Sequence, residues 1–312
     1  GFSDVLVGIP KYDGEGAAFI YLGSNGGISN VPSTILVSGQ PGANFGASVS
    51  TAGDVNADGH SDILVGATSY NHGQTDEGVA FLYLSCAQTD TVNIGCPGCP
   101  VLEGPPPTPE RIAAIDTLCF DLPIILEIDM ANGHFGHEVS YAGDVNADGF
   151  SDFMVEFWDV NGIGGTYLYW GGTDSTFSST FVPFSNNGYG NAIWHGVVAA
   201  GDLNGDGFSD ISVARYGGSS YAPTAYILYG SSAGISTNNM DILTRHSQSS
   251  NGNFSVEGSE IDPFTVPETN VGRYGVGLAG DVNGDGFSDI LVGDAFTDTI
   301  LGRGQGVLVY LG

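Results

Sequence analysis

DVNADGFSD at Asp144–Asp152 decides the reading of this chain, because the same nine-residue pattern occurs four times. The other copies are DVNADGHSD at Asp54–Asp62, DLNGDGFSD at Asp202–Asp210 and DVNGDGFSD at Asp281–Asp289. Gly1-Phe2-Ser3-Asp4 repeats the second half of the same pattern, so Asp4 marks a partial fifth site.

The pattern reads as a calcium loop. Calcium takes six to eight oxygen ligands at about 2.3–2.6 Å in flexible geometry. Side-chain oxygens fall at loop positions 1, 3, 5 and 9, and the backbone carbonyl of position 7 adds another. The predicted ligands are Asp54, Asn56, Asp58, the His60 carbonyl and Asp62 in the first complete loop. In the second they are Asp144, Asn146, Asp148, the Phe150 carbonyl and Asp152. Asp202, Asn204, Asp206, the Phe208 carbonyl and Asp210 form the third set. Asp281, Asn283, Asp285, the Phe287 carbonyl and Asp289 form the fourth. Glycine at position 6 permits the positive φ that turns the chain. Hard oxygen donors favour calcium over zinc or copper. With no cation, three carboxylates crowded in one loop repel one another, so four copies as metal-free Asn-Gly and Asp-Gly turns are disfavoured.

An EF-hand begins the same way, but it needs a glutamate at position 12 and flanking helices. Position 12 here is Val65, Val155, Val213 or Val292, inside the runs ILVGA, FMVEF, ISVAR and ILVGD. Such short β-branched runs read as strands, which puts each loop between two strands.

The loop-ending aspartates are spaced by 58 residues from Asp4 to Asp62 and again from Asp152 to Asp210. The intervals from Asp62 to Asp152 and from Asp210 to Asp289 are 90 and 79, the same unit with insertions of 32 and 21. Self-similarity at this period signals a propeller or solenoid. Each unit opens on Phe45-Gly46, Phe135-Gly136, Trp194-His195-Gly196 or Tyr274-Gly275. The loop and the ILVG-type strand follow, then an aromatic strand such as AAFIYLG at Ala17–Gly23 or VAFLYL at Val79–Leu84. A weaker fourth piece closes the unit, as in TILVSG at Thr34–Gly39 and FVPF at Phe181–Phe184. Four short strands per unit with glycine-rich turns predict an all-β chain of β-propeller blades, and no stretch has the periodicity of a helix.

These residues resemble the FG-GAP repeat family, in the aromatic-Gly opening, the loop and the LVGA-type strand together. The resemblance implies the seven-bladed, calcium-binding propeller found at the N-terminus of integrin α chains and in bacterial secreted proteins. Five units of antiparallel, four-stranded type are visible here rather than seven, the first and last incomplete. Residues 1–312 are expected to be one propeller domain, part of a longer chain or assembly. Stretches 86–132, rich in cysteine and proline, and 246–268, polar, are expected as insertions.

Composition narrows the partners. Asp plus Glu total 35 against 6 Lys plus Arg, a formal charge of −29. Four calcium ions would bring −29 to −21. Nucleic acid and anionic membrane surfaces require clustered basic residues, so neither is expected, and no apolar run is long enough to insert in a bilayer. Cys86, Cys96, Cys99 and Cys119 all fall in the first insertion. Zinc is one reading; two disulfides, in any of three connectivities, suit the irregular spacing and an oxidising compartment better. Asn253-Phe254-Ser255 is a glycosylation sequon. Calcium loops of this kind suit extracellular ion levels, so a secreted or cell-surface location is expected.

Catalysis is not expected. His134, His137 and His195 lie at neighbouring openings, Glu156 and Asp159 form an acidic pair, and Tyr141, Tyr167, Tyr169, Trp170 and Trp194 offer a stacking platform. None makes a recognisable catalytic signature. The primary expectation is an extracellular binding or adhesion module with an extracellular protein or glycan ligand. The alternatives are a subunit of a head-to-tail filament, and a glycan hydrolase or lyase on a propeller scaffold.

Overall fold

The fold is described from a computed structural model of the chain. It describes residues 2–86, 119–120, 122–158, 164–173, 176–182, 192–217, 224–235, 240–243, 255–257, 271–294 and 306–312. The chain is all-β, built of antiparallel sheets of the propeller-blade type. Among the described residues the only helical element is the single 3₁₀ turn Tyr12–Gly14. No helix among them is long and apolar enough to cross a membrane.

Among the described residues, four sheets have four strands each. In one, Phe45–Gly53, Asp62–Ala67, Val79–Tyr83 and Ile124–Leu126 lie side by side in that order. The others run Val139–Gly143, Asp152–Trp158, Gly164–Tyr169, Ser179–Val182, and Ala192–Gly201, Asp210–Gly217, Thr224–Leu228, Met240–Leu243. The last run joins Val271–Gly280, Asp289–Asp294 and Gly306–Leu311 to Ser255–Glu257. A three-stranded sheet, Val5–Ile9, Ala17–Tyr21 and Thr34–Leu36, is the first unit.

The nine-residue loops connect the first two strands of their blades. Gly53 faces Asp62, Gly201 faces Asp210 and Gly280 faces Asp289 at the base of each hairpin, always just beyond a bulge. Two outer strands lie inside stretches read as insertions. Ile124–Leu126 falls within 86–132, yet pairs with Val79–Tyr83 as the outer strand of its blade. Ser255–Glu257 falls within 246–268, and precedes the blade whose Gly306–Leu311 strand it joins. The weak fourth pieces are also shorter or shifted, at Thr34–Leu36 and Ser179–Val182. Outer strands bury little, so their apolar signal is faint.

The chain divides into two compact units. One comprises Gly1–Val139, Val155–Phe157 and Gly171–Phe177; the other comprises Ser140–Met154, Trp158–Trp170 and Ser178–Gly312. The first is centred on Phe45, Val65, Val79, Phe81 and Tyr83 with three small alanines, Ala18, Ala43 and Ala67. Phe45 and Phe81 meet edge to face at 5.2 Å, a favoured aromatic geometry. Among the described residues of the second unit, one cluster lies around Met154, Leu168, Ile211 and Val213 and another around Leu203, Ile227, Ile290, Val292 and Tyr310.

Within the first unit, the aromatic-Gly opening makes the junction between successive blades. Phe45 N–H donates to the Glu15 carbonyl at 2.9 Å, and Phe135 N–H to the Glu77 carbonyl at 2.8 Å. Gly16 and Gly78 form parallel bridges to Phe45 and Phe135. The glycine after each aromatic then lies against the glycine of the preceding ILVG-type strand. A Cβ on Gly8 would sit 2.2 Å from the Gly46 carbonyl oxygen, and one on Gly66 2.0 Å from that of Gly136. Backbone meets backbone here, leaving no room for a side chain.

Candidate metal centre

Each nonapeptide folds on its own side chains. In the first complete loop, Asp54 accepts Asp58 N–H on Oδ1 at 3.0 Å and Gly59 N–H on Oδ2 at 2.8 Å. Asn56 Oδ1 shares the Asp58 N–H at 3.0 Å, and Asp58 Oδ1 accepts His60 N–H at 2.9 Å. Asn56 Nδ2 donates to Asp58 Oδ2 at 3.0 Å. The same five bonds recur around Asp144, Asn146 and Asp148. They recur around Asp202, Asn204 and Asp206, and around Asp281, Asn283 and Asp285. Phe150, Phe208 and Phe287 hold the position of His60, each N–H on the aspartate two residues before it.

Two positions of each loop are left-handed. Position 6 is Gly59, Gly149, Gly207 or Gly286, with φ between 90° and 97°. Position 4, which the spacing did not single out, is Ala57 at φ 57° and Ala147 at 55°, then Gly205 at 71° and Gly284 at 77°. Alanine there costs about 1–2 kcal/mol. In the two glycine loops the position-4 N–H adds a bond to the first aspartate, at 2.7 Å from Gly205 and 2.6 Å from Gly284.

The ninth residue has a second task. Asp62 is fully buried. Its Oδ2 accepts Val55 N–H at 2.9 Å and its Oδ1 accepts Ser85 N–H at 2.8 Å, tying the loop to the end of the third strand. Asp210 does the same with Leu203 and Gly230, and Asp289 with Val282 and Gly312. Asp152 accepts Val145 N–H at 2.8 Å, and Asp4 accepts Gly23 N–H at 2.8 Å. Burial pushes the Asp62 carboxyl up to about 6 and the Asp210 carboxyl up to about 7. The two amides oppose that rise in each, and the carboxylates at positions 5 and 1 add to it.

Among the described residues, no three His, Cys, Asp or Glu side chains are gathered as a ready-made metal cluster. The donor set nonetheless fits a hard divalent cation. Each loop offers three carboxylates and an amide oxygen, and an oxygen accepting one N–H keeps a second lone pair. A cation beside such a carboxylate offsets its burial and the lesser repulsion from its acidic neighbours.

The other candidates take structural places. His134 Nδ1 meets the Thr68 carbonyl at 3.0 Å, and His137 N–H donates to the Glu156 carbonyl at 3.1 Å. His195 and Trp194 lie in the strand Ala192–Gly201. Tyr169 is 5% exposed and stacks on Phe153 at 5.0 Å. Trp170 donates from Nε1 to Thr180 at 3.2 Å, while Tyr141 and Tyr167 are half-buried. Cys96, Cys99, Asn253 and Asp159 lie outside the described residues.

Glu156 is 2% exposed, too enclosed to meet a polysaccharide. Burial holds its carboxyl well above the ordinary value, and Glu138 raises it further. A carboxyl raised on folding destabilises the fold once it must ionise, so stability falls as pH rises from the unfolded pKa toward the folded one. Glu156→Gln is expected to gain about 1–2 kcal/mol at pH 8 and nothing at pH 4. Urea unfolding at both pH values checks this; an equal effect at both would refute the assignment.

The FG-GAP repeat family model matches residues 45–83 and 196–233, each running from the first strand through the loop to the third. Integrin alpha pat-2 of Caenorhabditis elegans is 29% identical over 223 residues, 69% of this chain and 17% of that protein. Human integrin alpha-6 is 38% identical over 88 residues, 27% of this chain and 7% of that protein. Mouse integrin alpha-IIb is 31% identical over 156 residues, 46% of this chain and 15% of that protein. Two stretches of the chain thus match FG-GAP repeats, and the chain is similar to integrin alpha chains over part of its length. It spans less than a fifth of the length of these curated relatives.

Proposed function

We propose that the chain is an extracellular adhesion-type module, a set of FG-GAP propeller blades braced by calcium. It binds an extracellular protein through loops of the blades and performs no reaction of its own. The recurrence of one hydrogen-bonded acidic loop at the hairpin between the first two strands carries this reading. The likeness to integrin alpha chains supports the adhesive role. Calcium acts structurally, about four ions per chain, one in each complete loop.

Surface binding to a panel of extracellular matrix proteins and to a glycan array tests the role. Saturable binding to a protein, lost in chelator and regained with calcium, is expected. Glycan binding alone, or turnover of a glycan, would replace this reading.

The backbone register adds a disulfide proposal. Ser85–Cys86 pairs with Cys119–Phe120, and Cys86 stands directly opposite Cys119. Opposed residues on antiparallel strands have Cα atoms about 4.5–5.5 Å apart, within the range a disulfide spans. Cys86–Cys119 is therefore the favoured bridge, leaving Cys96 with Cys99. Non-reducing peptide mapping should recover the 86–119 link; a link from Cys86 to Cys96 or Cys99 would exclude it.

A further inference from the structure

The loops of the second unit are joined to one another through a residue that is not a ligand. Ser209, position 8 of its loop, stands between Phe208 and Asp210, both in the proposed ligand set. Ser209 N–H donates to the Asp144 carbonyl at 3.0 Å, and Asp144 N–H donates to Ser209 Oγ at 3.1 Å. Ser231, just past the Gly230 held by Asp210, donates its N–H to the Val145 carbonyl at 3.2 Å. The first ligand residue of one loop is thus clamped by the next loop.

The arrangement repeats one blade later, where Ser288 N–H donates to the Asp202 carbonyl at 3.0 Å. The residue preceding each clamped aspartate is a glycine at positive φ. A Cβ on Gly143 would lie 2.3 Å from Ser209 Oγ, and one on Gly201 would lie 2.3 Å from Ser288 Oγ. Gly280 shares the positive φ of 71°, and a Cβ built there meets nothing within 4 Å. Left-handed backbone accounts for all three glycines; the close serine adds a reason at Gly143 and Gly201.

We propose that occupancy of the loop at Asp202–Asp210 raises the calcium affinity of the loop at Asp144–Asp152, with Ser209 as the positioning residue. This rests on the calcium reading above. An ion drawing in the Phe208 carbonyl and the Asp210 carboxylate fixes the peptide between them. Ser209, through its N–H and its hydroxyl oxygen, holds both main-chain polar groups of Asp144, so the second loop loses less freedom when its own ion arrives. Coupling through shared ordering needs no change of shape. Charge works the other way, since an ion in one loop reduces the negative field at its neighbour. Salt screens that effect, with a Debye length of about 3 Å at 1 M, but leaves the hydrogen bonds intact.

Hydrogen exchange of the peptide covering residues 144–152, followed against free calcium in 0.5 M KCl, gives that loop its own midpoint. Asp206→Ala disables the neighbouring loop at an exposed position. It is expected to raise the midpoint at 144–152 about five-fold, the lower range of site-to-site coupling. Ser209→Ala should raise it about two-fold while the peptide covering 202–210 keeps its own response. An unchanged or lowered midpoint at 144–152 in both variants, with 202–210 silent in Asp206→Ala, would overturn the coupling and leave the calcium reading standing. If no loop of the unaltered chain responds to calcium, the calcium reading falls and the coupling with it.

Discussion

Gly136→Ala is expected to cost about 4 kcal/mol or more of stability, in the range reserved for severe core defects. The added methyl would sit 2.3 Å from the Val79 carbonyl oxygen and 3.0 Å from its carbon, and neither atom can move without shifting a central strand. Gly42→Ala is the matched control. Gly42 and Gly136 share a φ of 80°, but a Cβ on Gly42 meets nothing within 4 Å. The control therefore carries only the left-handed penalty, about 1–2 kcal/mol. Against a typical total of about 5–15 kcal/mol, the first change removes much of the margin and the second little. Urea midpoints of the two variants measure the difference. Equal costs would mean that the blade junction tolerates separation and that the aromatic-Gly opening has some other purpose.

Removing calcium is the second large effect. A ligand that binds only the folded form adds RT ln(1 + [L]/Kd). With Kd about 0.1 mM, in the range of extracellular sites, 1 mM calcium adds about 1.4 kcal/mol per loop. Three complete loops, at Asp144–Asp152, Asp202–Asp210 and Asp281–Asp289, belong to one compact unit, and only Asp54–Asp62 belongs to the other. Chelation is therefore expected to lower the thermal transition by about 10 °C, from 2–4 °C per kcal/mol, with most of the loss in the part of the chain that carries three loops. Asp148→Ala should cost about 1.4 kcal/mol in calcium and little in chelator. Equal losses in both conditions would assign Asp148 a purely local role. Scanning calorimetry with and without chelator reads all four values.

Much of this was legible in the sequence because the loop and its strand are local. The register follows from the nonapeptide itself, whose last residue, Asp62, faces Gly53, the residue just before its first. What escaped depended on partners distant along the chain. Phe45-Gly46 marks a repeat, but the reason for its glycine lies in the backbone of Ala17 and Ile9 on the neighbouring strands. Asp62 reads as a ligand, while its tie to Ser85 becomes visible only when the third strand is in place. The serine at position 8 was present in every copy, including Ser3 of the partial one. That constancy in a position with no ligand role was an unused signal of the link between loops. Alanine or glycine at position 4 likewise marked a second left-handed residue. Ile124–Leu126 escaped because a strand of three residues, of which only Leu126 is buried, carries little alternating pattern next to a cysteine- and proline-rich stretch.

The central claim is that clustered acidic loops hold calcium and thereby brace the blades. Calcium content of the chain, measured by elemental analysis after equilibrium dialysis against 1 mM calcium, tests it most directly. The account predicts about four ions per chain, falling by one in Asp148→Ala and by one more when Asp206→Ala is added. A chain that retains no calcium, or retains the same amount after both substitutions, would contradict it.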